Sequence, residues 1–452
     1  MKKFINNADD VVEEMTRGIA KAYPDKLEKL DYGAILCRKQ RKRGKVALVS
    51  GGGSGHEPAH AGFVGEGMLD AAASGAVFTS PTPDVVLEAI HSVAADAGVL
   101  LIVKNYTGDI MNFELAEEMA NAEGIRTVHV VTNDDVAVEN SSFTVGRRGV
   151  AGTIFVHKCA GAKAELGAPL EEVQAVAQKT ADNVRSMGAA ILPCTVPAAG
   201  TPGFTLKDDE MEIGIGIHGE PGTHREKLKT ADETADILLD GIFRSLDCDG
   251  REVAVLINGS GATPLMELYI INNHVQDVLK AKGIRVYRSL VGNYMTSIDM
   301  AGFSISLLRL DDELKELACY YNEEGKGSLY ELLRDQYEIK NPYFVFQRMK
   351  NKEDLGYNPE QDHFQMESVL EDPDGIFMSM DELCTPMVPQ HVIPEAEKIS
   401  SSRPEAMEKL VRDLIGDRLL ELSRYVVLDT LSKTMVVDKT SLESDGYQLV
   451  TH

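Results

Sequence analysis

Residues 46–62 read Val-Ala-Leu-Val-Ser-Gly-Gly-Gly-Ser-Gly-His-Glu-Pro-Ala-His-Ala-Gly, and no other stretch restricts the fold so tightly. The apolar run 46–49 has the length and composition of a buried parallel strand. It breaks into Gly51, Gly52, Gly53 and Gly55, which can take positive φ and let the backbone approach a ligand closely. A strand that empties into such a loop belongs to an open α/β sheet, whose ligands sit outside the carboxyl ends of the strands. The loop is not a nucleotide fingerprint. The dinucleotide pattern needs a helix straight after its glycines, and Pro58 stands where that helix should already run. A P-loop needs Gly-Lys-Ser/Thr, and the loop holds no lysine. A plain turn accounts for one or two glycines; four around an embedded His56 fit a ligand loop better.

At 452 residues the chain suits two or three domains with large cores. Its formal net charge of −25 disfavours nucleic acid and anionic membranes as partners and points to small molecules or other proteins. The opening Met1-Lys2-Lys3-Phe4-Ile5 carries no apolar signal core, and no uninterrupted apolar run reaches the ~18 residues of a membrane span, so a cytoplasmic protein is expected. The six cysteines lie far apart with no Cys-x-x-Cys pair. They read as reduced packing residues, and no metal site is expected.

In chain order, Val11, Val12, Met15 and Ile19 at helical spacing predict an amphipathic helix over 8–22. The basic run Arg38, Lys39, Arg41, Lys42, Arg43 and Lys45 reads as a solvated turn, which Gly44 supports. Strands are expected at 76–79, stopped by Ser80-Pro81-Thr82-Pro83; at 99–103, running into Lys104-Asn105-Tyr106-Thr107-Gly108-Asp109; and at 128–131. Strands alternating with helices imply a parallel sheet, whose loop ends would bring His56, Ser80, Lys104 and Asp109 to one edge. A surface ion pair is the plainer reading of Lys104 and Asp109, but the wholly apolar strand before them places them at the centre of the sheet. A helix over 169–189 leads into a proline-punctuated connection. Beyond it, strands are expected at 211–217, 253–257, 284–287 and 303–308. The first of these ends in Ile-His-Gly-Glu-Pro-Gly, so His218 repeats the grammar of Gly-His-Glu-Pro around His56.

Six ordered blocks now add up: Gly-Gly-Gly-Ser-Gly-His-Glu-Pro (51–58), Phe-Thr-Ser-Pro-Thr-Pro (78–83), Lys-Asn-Tyr-Thr-Gly-Asp (104–109), Gly-Arg-Arg-Gly-Val (146–150), Cys-Thr-Val-Pro-Ala-Ala-Gly (194–200) and Gly-Ile-His-Gly-Glu-Pro-Gly (216–222). Together they resemble the substrate-binding K subunit of dihydroxyacetone kinases over about residues 1–320. The resemblance implies an α/β fold of two domains with mostly parallel or mixed sheets. These would be residues 1–188 and 189–330, the second carrying a histidine that holds the ketone covalently. Residues 331–452 would follow as a mainly helical extension of unknown role. It implies His218 as the hemiaminal-forming histidine, His56 as the group that polarises the adduct oxygen and Asp109 as the acid/base carboxylate. Gly53, Ser54, Gly55, Ser80 and Lys104 would line the pocket.

The chemistry stands without the family. A neutral imidazole can add to a ketone but not to an alcohol, so a covalent histidine selects dihydroxyacetone, glyceraldehyde or another short ketose over glycerol. The resemblance further implies a homodimer and a separate L-type subunit that brings the phosphoryl group. That subunit would carry Mg and ADP or ATP and be recharged by ATP or by a phosphoenolpyruvate-dependent relay, with no cofactor bound by this chain. The family also includes ketone-binding transcriptional co-activators, so that reading stays open; His56 and Asp109, dispensable for mere binding, favour the enzyme. In the tail, Asp372-Pro373-Asp374-Gly375 reads as a turn and not as a nucleotide-binding aspartate cluster. Met407, Leu410, Val411, Leu414, Ile415 and Leu422 predict an amphipathic helix there.

Overall fold

The structure, a computed structural model, describes residues 2–42, 44–138 and 145–318, together with the backbone of 426–429 and 434–437. These residues belong to two units, Met1–Leu333 and Arg334–His452. The first unit holds two six-stranded sheets. After helix α1 (Val11–Ala22), the first sheet runs in the order β1 (Leu27–Lys29), β2 (Ala34–Arg38), β4 (Ala71–Val77), β3 (Ala47–Ser54), β5 (Val99–Lys104), β6 (Thr127–Thr132). Strands β3 to β6 are parallel, joined by crossovers that contain α2 (Pro83–Val93) and α3 (Thr107–Ala122). Strands β1 and β2 add antiparallel pairing at the edge.

The second sheet begins with β7 (Val184–Leu192) and runs β11 (Arg285–Gly292), β10 (Glu252–Gly259), β12 (Ala301–Leu310), β7, β8 (Glu210–Ile213), β9 (His224–Lys227). Helices α4 (Thr153–Glu165) and α5 (Leu170–Asn183) lie between the sheets, and side-chain period explains why they can. Along β5, Leu100 and Ile102 enter the central core while Val99, Leu101 and Val103 enter the outer one with α2 and α3. Likewise Ala254 and Leu256 of β10 face the central core, and Val253, Val255 and Ile257 pack with α6 (Ala231–Phe243) and α7 (Leu265–Ala281). Strands buried on both faces lose polar alternation, which is why these segments read as continuous apolar runs. Each fully buried Leu, Ile or Val contributes about 1.5–3 kcal/mol of transfer free energy, so the central core ties one sheet firmly to the other. Helix α8 (Asp312–Ala318) adds Leu314 and Leu317 to it.

Four expectations are corrected. The helix foreseen over 169–189 ends at Asn183, because residues 184–192 pair with β12 as a central strand. The strand foreseen at 76–79 is the end of β4, which stops at Val77 before Phe78 turns to φ 58°. The strand foreseen over 211–217 stops at Ile213, since Gly214 takes φ 75° and gives its carbonyl to Arg148. The basic run is a solvated turn only in its middle, where Lys39, Arg41 and Lys42 are exposed; its two ends are not. Arg38 pairs with Glu165 at 2.9 Å and Lys45 with Asp70 at 2.6 Å, all four side chains being buried. The four cysteines among the described residues, Cys37, Cys159, Cys194 and Cys248, are free and buried, as expected. In the second unit, β13 (Val426–Asp429) and β14 (Thr434–Val437) form an antiparallel pair. The helix expected from Met407 to Leu422 and the turn at Asp372 lie outside the described residues.

Candidate active site

Strand register decides where the site opens. β3 pairs with β4 from Val49 to Ser54, but with β5 only from Ala47 to Ser50. Past Ser50 the strands β3 and β5 part at their carboxyl ends, and because their onward connections run to opposite sides this gap is the switch point of the sheet. The glycines are therefore in the strand and not beyond it. β4 offers ladder partners to Gly51, Gly52 and Gly53, which extends the strand foreseen at 46–49 to Ser54. At Gly52, φ is 148° and a Cβ would stand 2.3 Å from Lys104 Nζ, so only glycine leaves the lysine its place.

Lys104, the last residue of β5, is fully buried. Its ammonium donates to the Gly51 carbonyl at 3.1 Å and lies 3.3 Å from Oδ2 of Asp109, in the first turn of α3. The second sheet supplies the other half. The β8–β9 connection carries His218, whose Nδ1 lies 3.0 Å from Glu220 Oε1. Glu220 Oε2 accepts from the His218 backbone N–H at 2.9 Å. Burial alone would raise the Glu220 carboxyl, but the hydrogen bond to His218, with the nearby Arg148, outweighs it and holds it at about 2. A carboxylate at Nδ1 fixes that nitrogen as the N–H, which leaves Nε2 of His218 with a free lone pair. Arg148 is itself fully buried, bonded to Asp135 at 2.7 Å and to the Gly214 carbonyl at 2.7 Å.

His56 joins the halves. Its ring stacks on Phe78 with centroids 5.1 Å apart and meets His218 edge-on at 4.8 Å. Tyr106, two residues after Lys104, meets His218 edge-on at 4.5 Å, with its hydroxyl in the fields of Glu220, Arg148, Asp135 and Asp109. Burial, then the charges of Glu220, Asp135 and Asp109 against that of Arg148, keep the Tyr106 phenol well above its ordinary range. Burial first, then His218 and Lys104, push His56 well below the usual histidine range, so it is neutral. Its Nδ1 lies 2.8 Å from the Thr296 carbonyl and must carry the proton. Nε2 therefore offers a lone pair. Among the described residues it has no hydrogen-bond partner, and neither do the Tyr106 hydroxyl and Arg148 Nη1. The neutral ring is thus an acceptor, and it can polarise an adduct oxygen only after taking a proton.

The remaining expected residues shape the walls. Ser54 gives its hydroxyl to the Gly75 carbonyl at 2.7 Å, and a Cβ on Gly53 would strike the backbone of Phe78 and Thr79. Gly55, at φ 101°, allows the Phe78 ring and Ile298 to close in. Ser80 lies beside Gly108 at the start of α3, its hydroxyl on the Pro81 carbonyl at 3.3 Å. Sequence reasoning missed Glu220, Tyr106, Phe78 and Thr296 as site residues. The first three sit inside quoted blocks, so proximity to His218 and Lys104 was available as a signal; Thr296 has none. No described helix is long and apolar enough to cross a membrane.

Fold and site together define a two-sheet α/β protein with a carboxylate-held histidine facing a buried lysine–aspartate pair. The chain belongs to the Dak1 family: the Dak1 domain matches residues 17–324. It is 54% identical over 314 residues to the dihydroxyacetone-binding subunit of PTS-dependent dihydroxyacetone kinase 1 of Listeria innocua, covering 69% of this chain and 95% of that one. Among solved structures, a dihydroxyacetone kinase operon co-activator superposes with a TM-score of 0.67 at 36% identity, covering 71% of this chain and 98% of the other. The dihydroxyacetone kinase of C. freundii gives a TM-score of 0.65 at 36% identity, covering 71% of this chain and 59% of that one.

Proposed function

We propose that this chain is the dihydroxyacetone-binding subunit of a kinase whose phosphoryl group comes from a separate L-type protein, and that it holds the ketone as a hemiaminal on His218. The observation that carries the reading is the Glu220–His218 pair: a carboxylate at Nδ1 leaves Nε2 as a nucleophile and balances the charge the ring acquires. As Nε2 adds to the carbonyl carbon, a C–N bond forms, the carbonyl π pair moves to oxygen, and that oxygen takes up one proton from hydronium or buffer acid in the solvent, leaving the ring as an imidazolium balanced by the Glu220 carboxylate. His56 Nε2, an acceptor, then orients the new hydroxyl through its hydrogen. Tyr106 and Phe78 enclose the adduct, which exposes a terminal hydroxyl toward Asp109. Asp109 takes the proton of that hydroxyl as it attacks phosphorus, and Lys104 steadies the carboxylate before transfer. Positioning and charge stabilisation are the rest of the chain's contribution.

The Listeria relative is named as dependent on the phosphotransferase system, which supports a donor recharged by a phosphoenolpyruvate-dependent relay, with magnesium and nucleotide residing on the donor subunit. A homodimer, a cytoplasmic location, a place in glycerol metabolism and the division into domains at residues 1–188, 189–330 and 331–452 belong to the same proposal. Carbon-13 NMR of carbonyl-labelled dihydroxyacetone tests it. The carbonyl resonance should move to the tetrahedral range on binding and stay put with His218→Ala; an unmoved resonance with the wild-type chain refutes the hemiaminal. The co-activator likeness favours a second reading, a ketone sensor without turnover. Adding an L-type subunit with its donor separates the two, since a sensor would bind the ketone and form no dihydroxyacetone phosphate.

A further inference from the structure

Behind the lysine–aspartate pair runs a line of buried groups that the proposed reaction does not use. Lys104 Nζ lies 3.0 Å from His60 Nε2, and His60 Nδ1 lies 2.9 Å from His157 Nε2. His60 sits in the turn after the glycine strand and His157 on α4, between the sheets; both are buried. Counting hydrogens fixes the tautomers. An ammonium has three, and they face the Gly51 carbonyl, Asp109 and His60, so His60 Nε2 can only accept. Its proton then sits on Nδ1. Ser50 says the same independently: its hydroxyl hydrogen goes to the Ile102 carbonyl at 2.6 Å, so toward His60 Nδ1, 3.5 Å away, it turns only a lone pair. His60 Nδ1 therefore donates to His157 Nε2. His157 must carry its proton on Nδ1, which among the described residues has no hydrogen-bond partner and lies in a ring that faces Phe63.

We propose that His60 and His157 form with Lys104 a hydrogen-bond chain of fixed tautomer that keeps Lys104 an ammonium against Asp109, so that both histidines are positioning residues for the base. This deepens the reading of Asp109 as the base and rests on it. The alternative arrangement, with His60 donating from Nε2 to a neutral Lys104 amine, would remove the cation beside Asp109. The carboxylate would then lose the charge partner it has at 3.3 Å. The titratable groups around the chain are Asp109 from α3, His56 and His60 from the segment after β3, and His157 from α4. Burial and the Lys104 charge depress both chain histidines, His157 to about 3, so neither carries a competing charge.

Nitrogen-15 NMR of the full chain labelled at histidine reads the tautomers without any activity. His60 and His157 should both show protonated Nδ1 and bare Nε2; an Nε2–H tautomer at His60 overturns the proposal. His157→Gln keeps an acceptor oxygen where Nε2 was, and His157→Leu fills the space without one. With the L-type subunit and its donor, the leucine variant should lose about tenfold in kcat, the order of one hydrogen bond to a charged group. The acid limb of its pH profile should move to higher pH, while glutamine restores most of the rate. Equal losses in both variants with unmoved pH profiles would reduce the histidines to packing and refute the proposal. Ketone adduct formation, followed by carbon-13 NMR, should be the same in all three proteins. Its absence from the wild type would instead overturn the role of His218 and leave the tautomer result standing.

Discussion

Glu220→Gln removes one charge from the site and almost no volume, so its consequences can be worked from the geometry. The carboxyl is held at about 2 against an ordinary 4.5, and that interval corresponds to about 3 kcal/mol favouring the ionised form. The sources are the His218 ring at 3.0 Å and the neighbouring Arg148, opposed by burial. Because the folded-state value lies below the ordinary one, this stabilisation is complete above pH 4.5 and fades as pH falls toward 2. The variant should therefore melt lower than wild type at neutral pH, by an amount worth up to about 3 kcal/mol, and the two should converge in acid. Ketone binding should weaken as well. Exchanging a charge-assisted hydrogen bond for a neutral one on a ring that gains positive charge costs about 1–1.5 kcal/mol, or roughly tenfold in the dissociation constant of dihydroxyacetone. Calorimetry measures that constant, and denaturation at several pH values measures stability. A glutamine variant that binds the ketone as tightly as wild type would refute the assignment of Glu220 as the balancing charge.

Asp109→Asn should lower kcat by about a hundredfold to ten-thousandfold while the carbon-13 signature of the adduct persists; a loss of adduct would mean that the aspartate acts in binding. Gly52→Ala should cost about 1–3 kcal/mol of stability and most of the activity, because its Cβ would strike Lys104 Nζ, and an unimpaired alanine variant would refute the crowding argument. His157, depressed from 6.5 to about 3 by burial and by Lys104, makes stability complete above about pH 6.5 and declining as pH falls toward 3, with a ceiling of about 5 kcal/mol. His56 and His60 shift in the same direction. The melting temperature of His157→Gln should accordingly vary less than that of the wild type between pH 6.5 and 4, and parallel curves would count against a neutral buried His157.

What the sequence discloses here depends on whether a segment's fate is set locally. β5, β10 and β12 are legible because strands buried on both faces are written as apolar runs, and Lys104 with Asp109 follows from where β5 must end. The glycines misled because their low strand propensity signals a loop, whereas ladder partners on β4 decide otherwise. Residues 184–192 follow a helix with no stop signal, and only pairing with β12 makes them a strand. Arg38 and Lys45 look like solvated charges until Glu165 and Asp70 arrive from distant segments. His157 is a lone histidine in an apolar helix, so its place at the end of the Lys104 chain is a tertiary fact with no local trace.

The same distinction explains why the site lies on a seam. Lys104 and Asp109 come from the first sheet and His218 from the second, so their alignment is only as good as the junction between the sheets. That junction is bonded in detail at His56. The Thr296 N–H donates to the His56 carbonyl at 3.1 Å, the Ile298 N–H to the Gly55 carbonyl at 2.8 Å, and the Thr296 hydroxyl to the Glu57 carbonyl at 2.9 Å. Phe78 at φ 58° and Ile298 at φ 55° flank the seam, each in a backbone conformation that costs about 1–3 kcal/mol outside glycine. Such conformations persist only where the surroundings over-determine them, and here the central core of α4 and α5 clamps both sheets. The strain and the cross-sheet bonds therefore have one effect: they fix His56 at 4.8 Å from His218 and leave the substrate, not the protein, as the part that must reorganise.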